Sequence, residues 1–316
     1  MQGVIAVVHH PDYVAPAPAG SAYLWNKNGL VRGLLDADAA GIAWHAPEAM
    51  PQRWLEAVHD PDYVAEVLEA RVPPHKARRI GFPVTPAVAR RSERVPGGTF
   101  LAAQLAQREG YAANSAGGSH HALADTGAGF CVFNDLAIAA VRLTEEGHAA
   151  RVLIVDCDVH QGDGTAALTA GRDGIATYSI HAEKNFPVRK ARSTVDVGLA
   201  DDTGDTVYLE TLEATLLPLL AQFDPDVVLY QAGVDPFAGD RLGRLALSGE
   251  GLVARDRWVA ETLRRRGIPF ASTLGGGYGS DALEVAGRHA TSILTLGRAA
   301  LGDACNLRNQ GASGGA

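Results

Sequence analysis

The sequence predicts an α/β protein, a single doubly wound domain with a mostly parallel central sheet flanked by helices. Short apolar runs rich in β-branched residues alternate with longer amphipathic stretches, the pattern of repeated strand–helix units. No change of composition and no internal repeat divides the 316 residues. Several of the apolar runs end in polar clusters, as strands do where an open α/β sheet builds its ligand crevice.

Taken in order, Val4-Ile5-Ala6-Val7-Val8 reads as a first strand, and the Pro/Ala/Gly run over 16–20 as a loop. A helix is expected near 28–40 and a short strand at Ile42-Ala43-Trp44. Asp60 and Pro61 carry the cap and first position of a helix through Leu68. The stretch over 72–84 is basic and proline-rich, with Arg78-Arg79 inside it. It reads as a solvated face, with a substrate rim or subunit contact as the alternative. Gly97-Gly98-Thr99 leads into an Ala/Leu-rich helix ending near Arg108, followed by a strand at Tyr111-Ala112-Ala113-Asn114. Further helices are expected near 135–146, 206–223, 251–265 and 281–297. Further strands are expected at 152–155, 175–180, 227–230 and 269–274. The domain is read as 1–307, with 308–316 a Gly/Ser/Asn-rich flexible tail.

Bulk properties narrow the function. A 47% hydrophobic, 20% charged chain can bury a large core, and a net charge of −8 argues against nucleic-acid binding. Cys131, Cys157 and Cys305 are too scattered for a disulfide framework or a metal knuckle, which suits a reducing cytoplasm. The first residues lack a basic secretory region, and no apolar run approaches a membrane span.

The densest chemistry lies at 152–164, where four apolar residues lead into Asp156, Asp158, His160 and Asp163. Burying that much charge costs several kcal/mol per ion unless it is paired or bound to a metal. Asp158 and His160 are two apart, so at a strand end they point the same way. With Asp235 from another strand end they form a carboxylate/imidazole set that suits Zn²⁺, with a fourth position open for catalysis. Asp156 and Asp163 remain as partners for His120 and His121, giving two His–Asp dyads of general-base type. His9, His10 and His148 read instead as solvated or hydrogen-bonded histidines. Gly275-Gly276-Gly277-Tyr278 allows close backbone approach and offers a phenol as oxyanion donor.

These residues resemble the zinc-dependent histone deacetylase superfamily. The likeness is collinear, from Gly-Gly-Ser-His120-His121 through Gly129-Phe130-Cys131, Asp156-x-Asp158-x-His160-x-Gly-Asp163, Gly233-x-Asp235 and Gly-Gly-Gly-Tyr278. Gly81-Phe82-Pro83-Val84-Thr85-Pro86, Phe133-Asn134-Asp135 and Gly239-Asp240-Arg241-Leu242-Gly243 look most like its class IV branch and bacterial relatives. The resemblance implies an arginase/deacetylase-type fold and hydrolysis of an acyl-lysine amide. It implies Zn²⁺ (Fe²⁺ as the alternative) on Asp158, His160 and Asp235, with His121 as main base and acid. His120 would then be an electrostatic partner and Tyr278 the oxyanion donor. Phe130, Phe186, Gly129, Gly276 and Gly277 would line the substrate tunnel. It also implies a structural K⁺ on oxygens of Asp156, Asp158, His160, Ser179 and Ile180. The expected partner is an acyl-lysine protein or peptide, or a small acylated amine such as an acetylpolyamine, met by a stand-alone, bacterial-type cytoplasmic enzyme. An arginase-type ureohydrolase would want an Asp-x-His-x-Asp order instead of Asp-x-Asp-x-His. A non-catalytic metal-binding protein is the reading from another class.

Overall fold

The computed structural model describes residues 4–18, 23–38 and 41–302. The 308–316 tail, Cys305 and part of the 16–20 loop lie outside them. Eight strands form one sheet in the order β2-β1-β3-β8-β7-β4-β5-β6. They are β1 Ile5–Val8, β2 Ile42–His45, β3 Tyr111–Asn114, β4 Val152–Asp156, β5 Ile175–Ala182, β6 Val195–Leu199, β7 Val227–Gln231 and β8 Phe270–Thr273. Every pairing among them is parallel. Among the described residues no helix is long and apolar enough to cross a membrane.

The apolar strands are continuous because both faces are covered. Leu153 and Val155 of β4 face one core, with Val228 and Tyr230 of β7. Val152 and Ile154 face the other, with Val227 and Leu229. The first core is closed by α1 Lys27–Ala37, α8 Asp205–Phe223, α9 Gly249–Arg265 and α10 Ala282–Leu301. The second is closed by α2 Gln52–Glu56, α3 Pro61–Leu68, α4 Pro74–Ile80, α5 Pro86–Glu109 and α6 Asp135–Glu145. A short α7, Asp163–Thr169, follows β4.

The elements differ from expectation in places. The helix expected from Gly97 starts at Pro86, where the Thr85 hydroxyl caps Val88 N–H, and runs through Pro96. Gly97 and Gly98 look like breakers, but a Cβ on Gly97 would run into the Glu48 carbonyl, and one on Gly98 into the Tyr13 hydroxyl. Close tertiary packing overrides their weak helix propensity. The basic stretch at 72–84 contains α4, which Gly81 ends in a left-handed conformation. The edge strand β6 and the short α2 and α7 were not anticipated. His181 lies inside β5 opposite Gly198.

Candidate metal centre and catalytic site

The polar clusters gather at the carboxyl ends of β3, β8, β7 and β4, which are neighbours in the sheet. After β3 the chain turns through Gly117 and Gly118 to the two histidines. Buried Asp135, in the first turn of α6, fixes this turn. Its carboxylate accepts from Gly118 N–H (3.2 Å), Ser119 N–H (2.7 Å) and the Thr99 hydroxyl (2.6 Å). His120 Nδ1 lies 2.6 Å from Asp156 Oδ2, and His121 Nδ1 lies 2.7 Å from Asp163 Oδ1. The two imidazole centroids are 4.0 Å apart.

The two dyads differ electrostatically. Burial disfavours a charge on His120, but Asp156 and Asp158 outweigh it and hold the pKa up at about 9. Burial, and then the neighbouring His120 charge, depress His121 to about 4. His121 is therefore neutral near pH 7, with Nδ1 committed to Asp163 and Nε2 left to accept a proton. Tyr278 is held well above the usual phenol range by burial and by Asp235 and Asp158, so it keeps its proton.

Asp158, His160 and Asp235 are buried, and their ligand atoms lie within 4.8 Å of one another. His160 Nδ1 is 3.0 Å from Asp158 Oδ1 and 3.2 Å from Asp235 Oδ2. The other oxygens are tied down. Asp158 Oδ2 accepts from Gln231 Nε2 and Gly276 N–H, both at 2.7 Å, and Asp235 Oδ1 from Val159 N–H at 2.9 Å. Asp235 Oδ2, though 3.2 Å from His160 Nδ1, is buried and accepts no hydrogen bond from the described residues. Burial, and then the Asp158 charge, push Asp235 up to about 7. Two carboxylates so close need a cation between them, and one imidazole nitrogen with two carboxylate oxygens is a donor set that fits Zn²⁺. The three residues could therefore hold a metal ion.

Backbone shape keeps this centre compact. A Cβ on Gly276 would strike both the Asp235 and Asp158 carboxylates, so only glycine fits. Gly277 follows it and precedes Tyr278. Gly129 is left-handed (φ +53°), and a Cβ there would sit 2.7 Å from the His121 ring. Phe130 holds φ +66° because its N–H donates to the Ile80 carbonyl at 2.8 Å. Its ring centroid lies 5.8 Å from that of Tyr278, and the half-exposed Phe186 ring lies 4.8 Å from His121. These aromatic rings stand beside His121 and Tyr278. A pocket of about 30 Å³ is lined by His120, His121, Asp158, Phe130 and Tyr278 together with Tyr23, Arg91 and Gly275. Ser179 and Ile180 sit on β5 beside β4, Ser179 in register with Asp156.

Residues 26–294 match the family model described as histone deacetylase domain. The chain belongs to the histone deacetylase family. An uncharacterized protein of Picosynechococcus sp. is 45% identical over 287 residues, covering 90% of this chain and 95% of that one. Histone deacetylase 2 of Arabidopsis thaliana is 34% identical over 208 residues, 65% of this chain and 53% of the plant protein. In three dimensions the chain is similar to an acetylpolyamine aminohydrolase from Burkholderia pseudomallei. The TM-score is 0.75 at 21% identity, covering 94% of this chain and 99% of that one, a likeness that bears on fold alone. The arginase/deacetylase-like α/β fold is thereby shown, and the deacetylase relatives make the chain a hydrolytic deacetylase.

Several groups in this deacetylase were not found from sequence. Gln231 bridges the centre, donating to Asp158 and accepting from Gly233 N–H at 2.8 Å. A glutamine closing the apolar run of β7, two residues before Gly233, was the available signal. Fully buried Arg255 of α9 donates through Nη1 to the carbonyls of Cys157 (3.2 Å) and Gly233 (2.7 Å), bracing the ends of β4 and β7. Nothing in a surface-patterned helix marks it. Asp240 accepts from Tyr278 N–H at 2.6 Å and positions that residue. Gln161, given no chemistry from sequence, is buried and ties the β4 turn to Ala191 and Asp196.

Proposed function

We propose that the chain removes acyl groups from the ε-amine of lysine, in the manner of the class IV branch and its bacterial relatives. The observation that carries this is the convergence of two His–Asp dyads, one charged and one neutral, on the Asp158/His160/Asp235 triad. Asp158, His160 and Asp235 would hold Zn²⁺, with Fe²⁺ as the alternative. When bound, the ion supplies a Lewis acid for a water and for the amide carbonyl. His121 Nε2 takes the proton of the attacking water, while Asp163 holds Nδ1 and the ring orientation. His120, charged against Asp156, stabilises the negative charge that develops nearby. Tyr278 donates its O–H to the developing oxyanion. His121 then returns its proton to the leaving lysine nitrogen. Phe130 and Phe186 would flank the lysine stem, with Gly129, Gly276 and Gly277 giving it room. A K⁺ on oxygens of Asp156, Asp158, His160, Ser179 and Ile180 would stiffen the ends of β4 and β5. The two cysteines among the described residues, Cys131 and Cys157, are unpaired, in keeping with a cytoplasmic enzyme.

Acyl-lysine peptides of increasing chain length, assayed beside acetylated polyamines, test the reading. Turnover of the peptides is expected. Turnover of acetylpolyamines alone would replace it with a small-amine deacetylase.

A further inference from the structure

We infer that the mouth of the site is a docking surface for acidic sequence flanking the acylated lysine, an inference that rests on the acyl-lysine reading above. The basic stretch that looked like a solvated face in the sequence lies at this mouth. The carbonyl of Arg79 accepts from Gly129 N–H at 3.1 Å, and that of Ile80 from Phe130 N–H. The C-terminal end of α4, with exposed Arg78 and Arg79, is thus bonded to the loop carrying the Phe130 wall. The Phe186 segment, whose ring lies 4.8 Å from that of His121, carries exposed Lys184 and Arg189. A third side is closed by Arg241, also exposed, whose N–H donates to the Tyr278 carbonyl at 3.1 Å. The Phe186 and Arg241 segments are joined by Asn185 Nδ2 donating to the Leu242 carbonyl at 2.7 Å.

Five exposed cations therefore lie on the three segments that meet at the site, on a chain with 36 acidic and 28 basic residues other than histidine. Some basic side chains farther back have an acidic partner, as Arg71 has Glu69 and Lys76 has Glu66. None of Arg78, Arg79, Lys184, Arg189 and Arg241 forms a side-chain ion pair or hydrogen bond with any described residue. Asp240, the nearest acid in the third segment, already accepts from Leu242, Gly243 and Tyr278 N–H. Exposed Glu183 is the acid next to Lys184.

The same rim exposes apolar surface. Of seven large hydrophobic side chains exposed among the described residues, Phe186, Val188 and Leu242 stand here, Val188 at 96%. Apolar patches ringed by one sign of charge are suited to peptides of the opposite sign. An extended peptide presenting a lysine to the tunnel would lay its neighbouring residues across this rim. Acidic neighbours would be drawn in. The free ammonium groups of an acetylpolyamine would be repelled at the same place.

The test uses the metal-loaded full chain and acetyl-lysine peptides identical except for Asp/Glu, Gly/Ser or Lys/Arg on both sides of the lysine. Acidic peptides are expected to exceed basic ones about tenfold in kcat/KM, mainly through KM, the sum of a few exposed charge pairs. The preference should collapse at roughly 0.5 M salt, where exposed charges are screened. R78E/R79E and R189E should reduce or invert it while leaving turnover of an uncharged acetyl-lysine amide unchanged. Equal kcat/KM for acidic and basic peptides, or a preference that survives charge reversal, overturns the inference alone. Turnover of acetylpolyamines with no peptide turned over removes the acyl-lysine reading, and this inference with it.

Discussion

In the proposed mechanism Asp163 fixes one proton. Its bond to His121 Nδ1 leaves Nε2 as the acceptor, and nothing else among the described residues holds that ring by a hydrogen bond. Asp163→Asn keeps the shape and removes the charge, so kcat should fall about 10²–10⁴-fold with metal content unchanged. Single-turnover kinetics paired with elemental analysis read both. His59 performs a structural task of the same kind. Its Nδ1–H donates to the Leu123 carbonyl at 2.8 Å and its Nε2 accepts from Asn134 N–H at 2.9 Å, so both nitrogens are used by the neutral ring. Burial lowers its pKa from 6.5 to about 4. Because the folded value lies below the unfolded one, the unfolded chain takes up the proton first. The stabilisation is complete above about pH 6.5 and is lost as pH falls toward 4, up to about 3 kcal/mol. Urea unfolding at pH 7.5 and 5 should show a larger drop for wild type than for His59→Gln. Equal drops would mean that His59 does not carry the effect.

At the scale of elements, the site depends on strands held at a fixed offset. Arg255 reaches from α9 to the carbonyls after β4 and β7 while its guanidinium pairs with Asp256 at 2.9 Å. Arg255→Met would leave the buried Asp256 side chain with the Tyr230 hydroxyl as its one remaining side-chain partner among the described residues. A loss of about 3–5 kcal/mol in unfolding free energy is expected, together with weaker metal binding. Elements differ in how far the sequence exposed them. β4 and β7 were legible because both faces are apolar, and α3 because Asp60 and Pro61 mark its start. The start of α5 was hidden by Pro96-Gly97-Gly98, whose fitness for a helix depends on Glu48 and Tyr13, distant in sequence. β6 was hidden because Asp196 and Gly198 weaken its strand character, and its pairing with β5 supplies what the residues lack.

For the whole molecule, strand order is what makes a site of scattered motifs. β3, β8, β7 and β4 are far apart in the chain and adjacent in the sheet, so residues from His120 to Tyr278 meet at one edge. The ligand and dyad residues could be picked out because each is a charged or glycine-rich interruption after an apolar run. The structural roles of Arg255, Asp135 and Gln231 could not be read, because they rest largely on backbone groups and distant side chains that come together only once the chain has folded. The basic ring at the mouth joins three segments in the same way. The central claim is that one metal ion on Asp158, His160 and Asp235 is required for amide hydrolysis. The direct measurement is turnover of an acetyl-lysine peptide by chelator-stripped enzyme as Zn²⁺ is added back, with Asp235→Ala beside wild type. Activity should be absent at first, rise in proportion to bound metal, reach its plateau at one ion per chain and remain absent in Asp235→Ala. Full activity of the stripped chain, or a plateau only at two ions per chain, would contradict the claim.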